Sequence, residues 1–219
     1  MLQFYYHPLS PIARRVWIAL LEKEIAFEPV LVDLRGKQFE ESFLVMSPFH
    51  HVPVVVHEGD RILESLAILD YLEHQFPQVS LMPTSPMAIA RMRMVQLVTT
   101  NELLPKIVSV VNAEHQPLSE SAIAHLATCF QFLNQQLGEG PFFGGQALNL
   151  ADIVAGSTLP LFHRLGLPLS AYPALMQWQA RILARPSWTG SQPSDRDFQR
   201  WQRWIQLQVK RRQKSRSPQ

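Results

Sequence analysis

The stretch from Ser47 to Ala67, SPFHHVPVVVHEGDRILESLA, limits what this chain can fold into more tightly than any other. Val52-Pro53 stands at the mouth of a β-branched run, Val54, Val55 and Val56. Proline cannot donate to a sheet ladder, so it belongs at a strand's first residue or on an edge. It is also the residue at which a cis peptide is cheap. Glu58-Gly59-Asp60 gives a tight turn into Arg61-Ile62-Leu63, which predicts a hairpin. Glu64-Ser65 then precedes Leu66, Ile68, Leu69 and Leu72 at helical spacing, which predicts a helix with Ser65 as its N-cap. A helix start offers free N–H groups and a positive dipole end, and so can hold a carboxylate. The stretch predicts a peptide-like anionic ligand beside Val52, with one carboxylate at Ser65.

The flanking sequence supplies a scaffold for it. Leu2 to Tyr6 reads as a buried strand, and Ser10-Pro11 as an N-cap with proline at the first helical position. Ile12, Val16, Ala19 and Leu20 carry that helix to about Lys23. Phe27 to Val32 is a second strand, with Pro29 suited to an edge. A short helix is expected from Gly36 to about Met46, and another from Ser65 to about Gln75. Strands joined through a helix run parallel and a hairpin pair antiparallel, so residues 1–76 predict a thioredoxin-like α/β domain. Phe76 to Pro86 holds three prolines and reads as the linker. Residues 87–219 predict an all-helical domain: Met87 to Asn112 broken near Asn101–Leu104 by Pro105, then Ser119 to Leu137, and Leu150 to Leu165 behind an Asn149/Asp152 capping box. Two more helices follow, one opened by Pro173 and one from Pro193 to about Val209.

The order of strand, Ser-Pro-x-Ala-Arg-Arg helix, Val-Pro hairpin, Glu-Ser helix and all-helical half resembles the cytosolic glutathione transferases of the serine type. The resemblance runs from Leu2 to about Trp188 and rests on the order and spacing of its motifs. It implies an enzyme that adds glutathione, as co-substrate, to hydrophobic electrophiles, acting as a homodimer in detoxification. It implies that Ser10, where a thioredoxin-like redox protein carries a reactive cysteine, donates to the glutathione thiolate. The backbone of Val52, set by Pro53, would pair with the cysteinyl part. Ser65 would hold the γ-glutamyl carboxylate and Glu64 the α-amino end. His51 and Gln38 would lie near the glycyl carboxylate. Leu9, Arg14 and Thr99 are candidates for the electrophile pocket, although a solvated or ion-paired role also suits Arg14. Ser10 and Ser65 keep a plain alternative as helix caps.

Magnitudes make the serine role workable. An ordinary thiol has a pKa of ~8.5, and lowering it by about two units takes roughly 2.7 kcal/mol. A hydrogen bond to a charged group supplies ~1.5–3 kcal/mol. A helix N-terminus adds ~0.3–1 kcal/mol.

Composition narrows the rivals. The single cysteine, Cys129, excludes an internal disulfide framework and fits a reducing compartment, so a cytoplasmic location is expected. No apolar run reaches the ~18 residues of a membrane span. His50 and His57 have no carboxylate or cysteine at ligand spacing, so no metal site is expected. The formal charge of +2 is misleading, because the last ten residues hold five Lys/Arg and no acid. Without them 15 basic side chains face 18 acidic ones, which argues against a nucleic-acid-binding body. The tail at 210–219 reads either as a disordered end or as a contact for an anionic surface. Two alternatives to conjugation stay open: a non-catalytic interaction or regulatory protein on the same fold, and a glutathione-dependent isomerase or peroxidase.

Overall fold

The computed structural model describes residues 1–33, 36 and 40–214. Its N-terminal half contains β1 (Leu2–Tyr6), α1 (Pro11–Glu22), β2 (Phe27–Leu31), α2 (Glu41–Leu44), β3 (Val54–His57), β4 (Asp60–Leu63) and α3 (Ser65–Gln75). The four strands form one sheet in the order β2-β1-β3-β4, with β1 and β2 parallel and the other pairs antiparallel. Pro29 lies opposite Phe4 on the edge strand β2, where its missing N–H costs the sheet little. Glu58 (φ +55°) and Gly59 (φ +93°) close the β3–β4 hairpin, both with the positive φ that a two-residue turn of type I′ demands. This is a thioredoxin-like α/β domain.

The C-terminal half is helical: α4 (Pro86–Val98), α5 (Ile107–Val111), α6 (Glu120–Leu137), α7 (Leu150–Arg164), α8 (Pro173–Leu183), α9 (Pro186–Ser191) and α10 (Asp195–Lys214). Between α4 and α5 the helix becomes a π-helical turn at Thr99–Leu103 and a 3-10 turn at Leu104–Lys106, the break that Pro105 forces.

Helix α7 is the axis of this half, buried along almost its whole length. Its start is the expected box, with Asn149 accepting from the N–H of Ala151 and Asp152 from that of Asn149. Burial pushes the Asp152 carboxyl up to about 6, although Phe143 N–H and the Trp178 indole also donate to it. Pro160 sits inside α7 and cannot bond back to the carbonyl of Gly156. That oxygen instead accepts from the indole of Trp188, 3.1 Å away on α9. Gly156 is also a packing requirement, since a Cβ there would meet Ile182 at 2.6 Å and the Trp188 ring at 3.0 Å.

Three features differ from the sequence expectations. The helix expected from Pro173 stops at Leu183, and an unexpected short helix, α9, follows before the last one, because Arg185-Pro186 starts a separate piece. The last helix continues to Lys214, so half of the tail expected to be disordered is helical. Gln, Lys and Arg are good helix formers, and no glycine or proline interrupts them before Pro218. Of the helix expected from Gly36 to about Met46, Glu41–Leu44 is helical; Gly36 lies in a turn and residues 37–39 fall outside the described residues.

Two ion pairs brace the end of α1 at the junction of the halves. The Glu22 carboxylate of α1 accepts from Arg185 Nε and Nη2 at 2.8 and 2.6 Å, and from the Ser187 hydroxyl. Burial raises the Glu22 pKa, but these donors outweigh it and hold it below the usual range. Lys23 pairs with Glu73 at 2.8 Å, both buried, and donates to Val79 O, while Glu73 accepts from Leu81 N–H. This pair fastens the end of α1 to α3 and to the connecting segment.

Candidate active site

Strand register brings the predicted residues to one edge of the sheet. Tyr5 lies opposite Val54, and Val54 opposite Leu63, while Tyr6 runs beside Leu31. The loop after β1, the segment before β3, the end of β4 and the end of β2 therefore share one border. Ser10, Val52-Pro53 and Glu64-Ser65 all stand on it.

Ser10 is the N-cap of α1, and its Oγ accepts from the N–H of Ala13 at 3.1 Å. That bond uses a lone pair and leaves the hydroxyl proton to be donated to an anion. Pro11, at the first helical position, adds the fixed φ that starts the helix without a wasted N–H.

The Val52-Pro53 peptide is cis. Among the described residues, neither the N–H nor the C=O of Val52 has a partner in the chain, although the residue is only 6% exposed. An extended peptide can therefore add to this segment as a further strand. The approach to it is fixed by Ser47, which sequence reasoning did not single out. Its buried hydroxyl donates to the carbonyl of His51 at 2.9 Å and accepts from the His51 N–H at 3.1 Å. The His51 side chain is exposed.

At the end of β4 the expectation needs one correction. Glu64, not Ser65, occupies the cap position of α3, and Ser65 is its first helical residue. Glu64 holds φ +64° and ψ +118°, a conformation that costs a non-glycine residue about 1–3 kcal/mol. The turn leaves the N–H groups of Ser65, Leu66 and Ala67 unused by the helix, with Ser65 buried beneath them. Gln38 lies outside the described residues.

Beside Ser10 opens a cavity of about 630 Å³. Pro8, Leu9 and Ser10 form one wall, Leu31 and Asp33 another, and Trp201 and Trp204 of α10 close the far side. The last helix thus covers the cleft. Its first turn is fastened by Arg164 of α7, which pairs with Asp195 at 2.7 Å and lies 4.0 Å over the Phe198 ring.

Leu9 lines this cavity, whereas Arg14 and Thr99 do not. Arg14 is buried behind it, donating from Nε to the Ser191 hydroxyl (3.2 Å) and from Nη2 to the Trp188 carbonyl (3.1 Å). Burial and the nearby Arg164 charge bring its pKa down to about 10. It is neither solvated nor ion-paired, the two roles expected of it. Arg15 beside it is fully buried and bonded to the hydroxyls of Ser157, Thr100 and Thr158. Thr99 is fully buried in the π-helical turn. Both arginines meet their partners about 85 to 177 residues away, so no local pattern announces them.

Comparison with known proteins matches residues 4–80 to the glutathione S-transferase N-terminal domain and residues 88–206 to the C-terminal domain. The chain belongs to the glutathione S-transferase family. That is a family of enzymes with glutathione as co-substrate. Maleylacetoacetate isomerase of Rattus norvegicus is 29% identical over 197 residues, 86% of this chain and 91% of that protein. Glutathione S-transferase U1 of Arabidopsis thaliana is 31% identical over 179 residues, 77% and 78% of the two chains. A crystal structure of a glutathione transferase homolog from Sulfitobacter with bound glutathione superposes with a TM-score of 0.71 at 25% identity. It covers 87% of this transferase chain and 96% of its own.

Proposed function

We propose that this glutathione S-transferase ionises glutathione at Ser10 and adds its sulfur to a hydrophobic electrophile held against Trp201 and Trp204. The observation that carries the reading is the shared border of the sheet. A hydroxyl with its proton to give, an unpaired extended backbone at Val52 and the free N–H groups at Ser65 all lie along it. Their spacing in the fold suits a tripeptide lying in extended form, with the γ-glutamyl carboxylate at Ser65 and the α-amino end at Glu64. The cysteinyl part pairs with Val52, and the glycyl carboxylate lies toward His51 and Gln38.

The thiolate is the nucleophile, and the electrophile loses a leaving group or gains the sulfur across a polarised double bond. The protein binds, orients and ionises; it contributes no sulfur of its own. Residues 1–76 form the glutathione-binding unit and residues 87–219 the unit supplying the electrophile wall.

Several exposed apolar side chains support a homodimer. Met87, Met94 and Leu97 are 65%, 42% and 47% exposed along one face of α4, and Phe49 stands 60% exposed beside the Val52 segment. A cytoplasmic location fits the buried lone thiol, Cys129. Detoxification of apolar electrophiles fits the cavity.

The likeness to a maleylacetoacetate isomerase favours one second reading, in which the sulfur adds reversibly to an unsaturated acid and leaves after bond rotation. Retention on immobilised glutathione, followed by parallel assays with an aryl halide and with a cis-unsaturated diacid, separates the two. Turnover of the halide alone supports conjugation, and turnover of the diacid alone moves the reading to isomerisation. Failure of retention and of both assays leaves a transferase-like scaffold without chemistry.

A further inference from the structure

Helix α10 has a second face, turned away from the core, that meets the cavity only along one margin. Phe198, Trp201 and Ile205 point into the core, and Gln206 donates to the carbonyl of Val111 at 3.2 Å. On the outside, Arg196, Arg200, Arg203 and Lys210 are exposed in steps of four, three and seven residues, which places them on one stripe. Trp204 (41% exposed) and Leu207 (56% exposed) stand among them.

The acids near this stripe are few and already engaged. Asp195 pairs with Arg164, and Asp197 with Arg200 at 3.4 Å. Arg196, Arg203 and Lys210 have no carboxylate partner among the described residues. From Phe198 to Gln219 the chain holds seven Lys/Arg and no acid, leaving 13 basic and 18 acidic side chains elsewhere. The molecule is therefore electrically polarised, with a basic end on a mildly acidic body.

We infer that the outer face of α10 docks on an anionic lipid surface. Charge complementarity selects the partner's sign: each Lys or Arg near such a surface is attracted, and the acidic body turns away from it. Trp204 and Leu207 select its kind. A half-exposed indole and an exposed leucine among arginines suit the boundary between headgroups and acyl chains, where an aromatic ring has one apolar and one wet side. A nucleic acid uses the arginines and the indole but has no place for Leu207.

The docking stands without the functional reading above, but one consequence rests on it. Arg200 and Trp204 belong to both the stripe and the cavity wall. The cleft then opens at the membrane boundary, where apolar electrophiles are concentrated.

The test uses the full chain and phosphatidylcholine vesicles with or without phosphatidylserine. Cosedimentation is expected with the serine-containing vesicles only, and is expected to disappear near about 1 M salt, where the Debye length is ~3 Å. Equal partition into both kinds of vesicle, or into neither, overturns the inference. The triple variant Arg196→Glu, Arg203→Glu, Lys210→Glu avoids the cavity wall. It is expected to bind roughly tenfold or more weakly while turning over a soluble electrophile as before. Undiminished binding by that variant overturns the assignment to this face. Should the variant fail to fold, brominated lipids decide in the unaltered protein, since docking brings the exposed indole of Trp204 within quenching range and no quenching means no docking. Preference for a single-stranded oligonucleotide over the vesicles at equal salt also overturns it.

Discussion

The two sides of the cleft are built by different means. The side proposed for glutathione is made largely of backbone: the end of β1, the cis segment before β3 and the first turn of α3, brought together by one sheet register. The side proposed for the electrophile is made of side chains, with Leu9 and Leu31 facing Trp201 and Trp204 of α10, the last of them 41% exposed. Backbone geometry tolerates changes of side chain but not of fold; an aromatic wall tolerates changes of helix position less than it tolerates changes of residue. The difference teaches where constancy and variation belong in this molecule. On the function proposed above, activation of the thiol would depend on the sheet, and choice of partner on the terminal helix.

Four measurements press on that contrast. Lys23→Met leaves Glu73 charged and unpaired beneath the junction of α1, α3 and the connecting segment. Loss of about 3–5 kcal/mol in denaturant unfolding is expected, as for other buried pairs broken on one side. A shift of only a few tenths would mean that the glutathione side does not rest on this pair. Ser10→Ala removes the donated proton while α1 keeps its proline start. Turnover is expected to fall by about tenfold or more, the worth of one bond to a charged group. The pH at which bound glutathione ionises, read from thiolate absorbance, is expected to rise, so the rate profile moves to higher pH. An unchanged ionisation removes Ser10 from the mechanism.

Trp204→Ala probes the other wall. The KM for an aromatic electrophile is expected to rise about threefold to tenfold, what ~0.5–1.5 kcal/mol of ring contact is worth. The KM for glutathione stays where it was; a matching rise there would mean that the two sides are not separable. Cys129→Ala should do least. Burial and then the charge of Glu102 push this thiol up, opposed by Lys106, so it stays protonated near neutral pH. Turnover is expected to be unchanged, and native protein should react with thiol reagents only slowly.

The same contrast explains what could be read from the chain. Val52-Pro53, the hairpin turn and Ser10-Pro11 announce themselves because proline and glycine act on their own neighbours. The π-helical break before Pro105 was legible for that reason. Ser65 was legible as a helix start, but its exact rank was not, since Glu64 adopts a positive φ that no local propensity favours. Ser47 was missed because its partner is the backbone of His51, not a motif. Arg14 defied the expectation of a solvated or ion-paired side chain because its partners come from α9, and nothing local pointed to Arg15, whose partners come from α7 and the π-helical turn. Leu31, Asp33 and the placing of Trp201 and Trp204 against Ser10 needed the tertiary fold, for a terminal helix carries no signal of where it docks.

The buried guanidinium of Arg14 has a consequence for how such molecules diversify. It stands one helical turn beyond Ser10 and grips Ser191 and the Trp188 carbonyl, just before the chain turns into α10. The root of the terminal helix is thereby anchored to the same short helix that Ser10 caps. Everything beyond that root can be rewritten, in length or in lining, while its starting point relative to the sulfur is retained. A lineage can thus acquire new tastes by editing its last few turns and leave the ignition untouched.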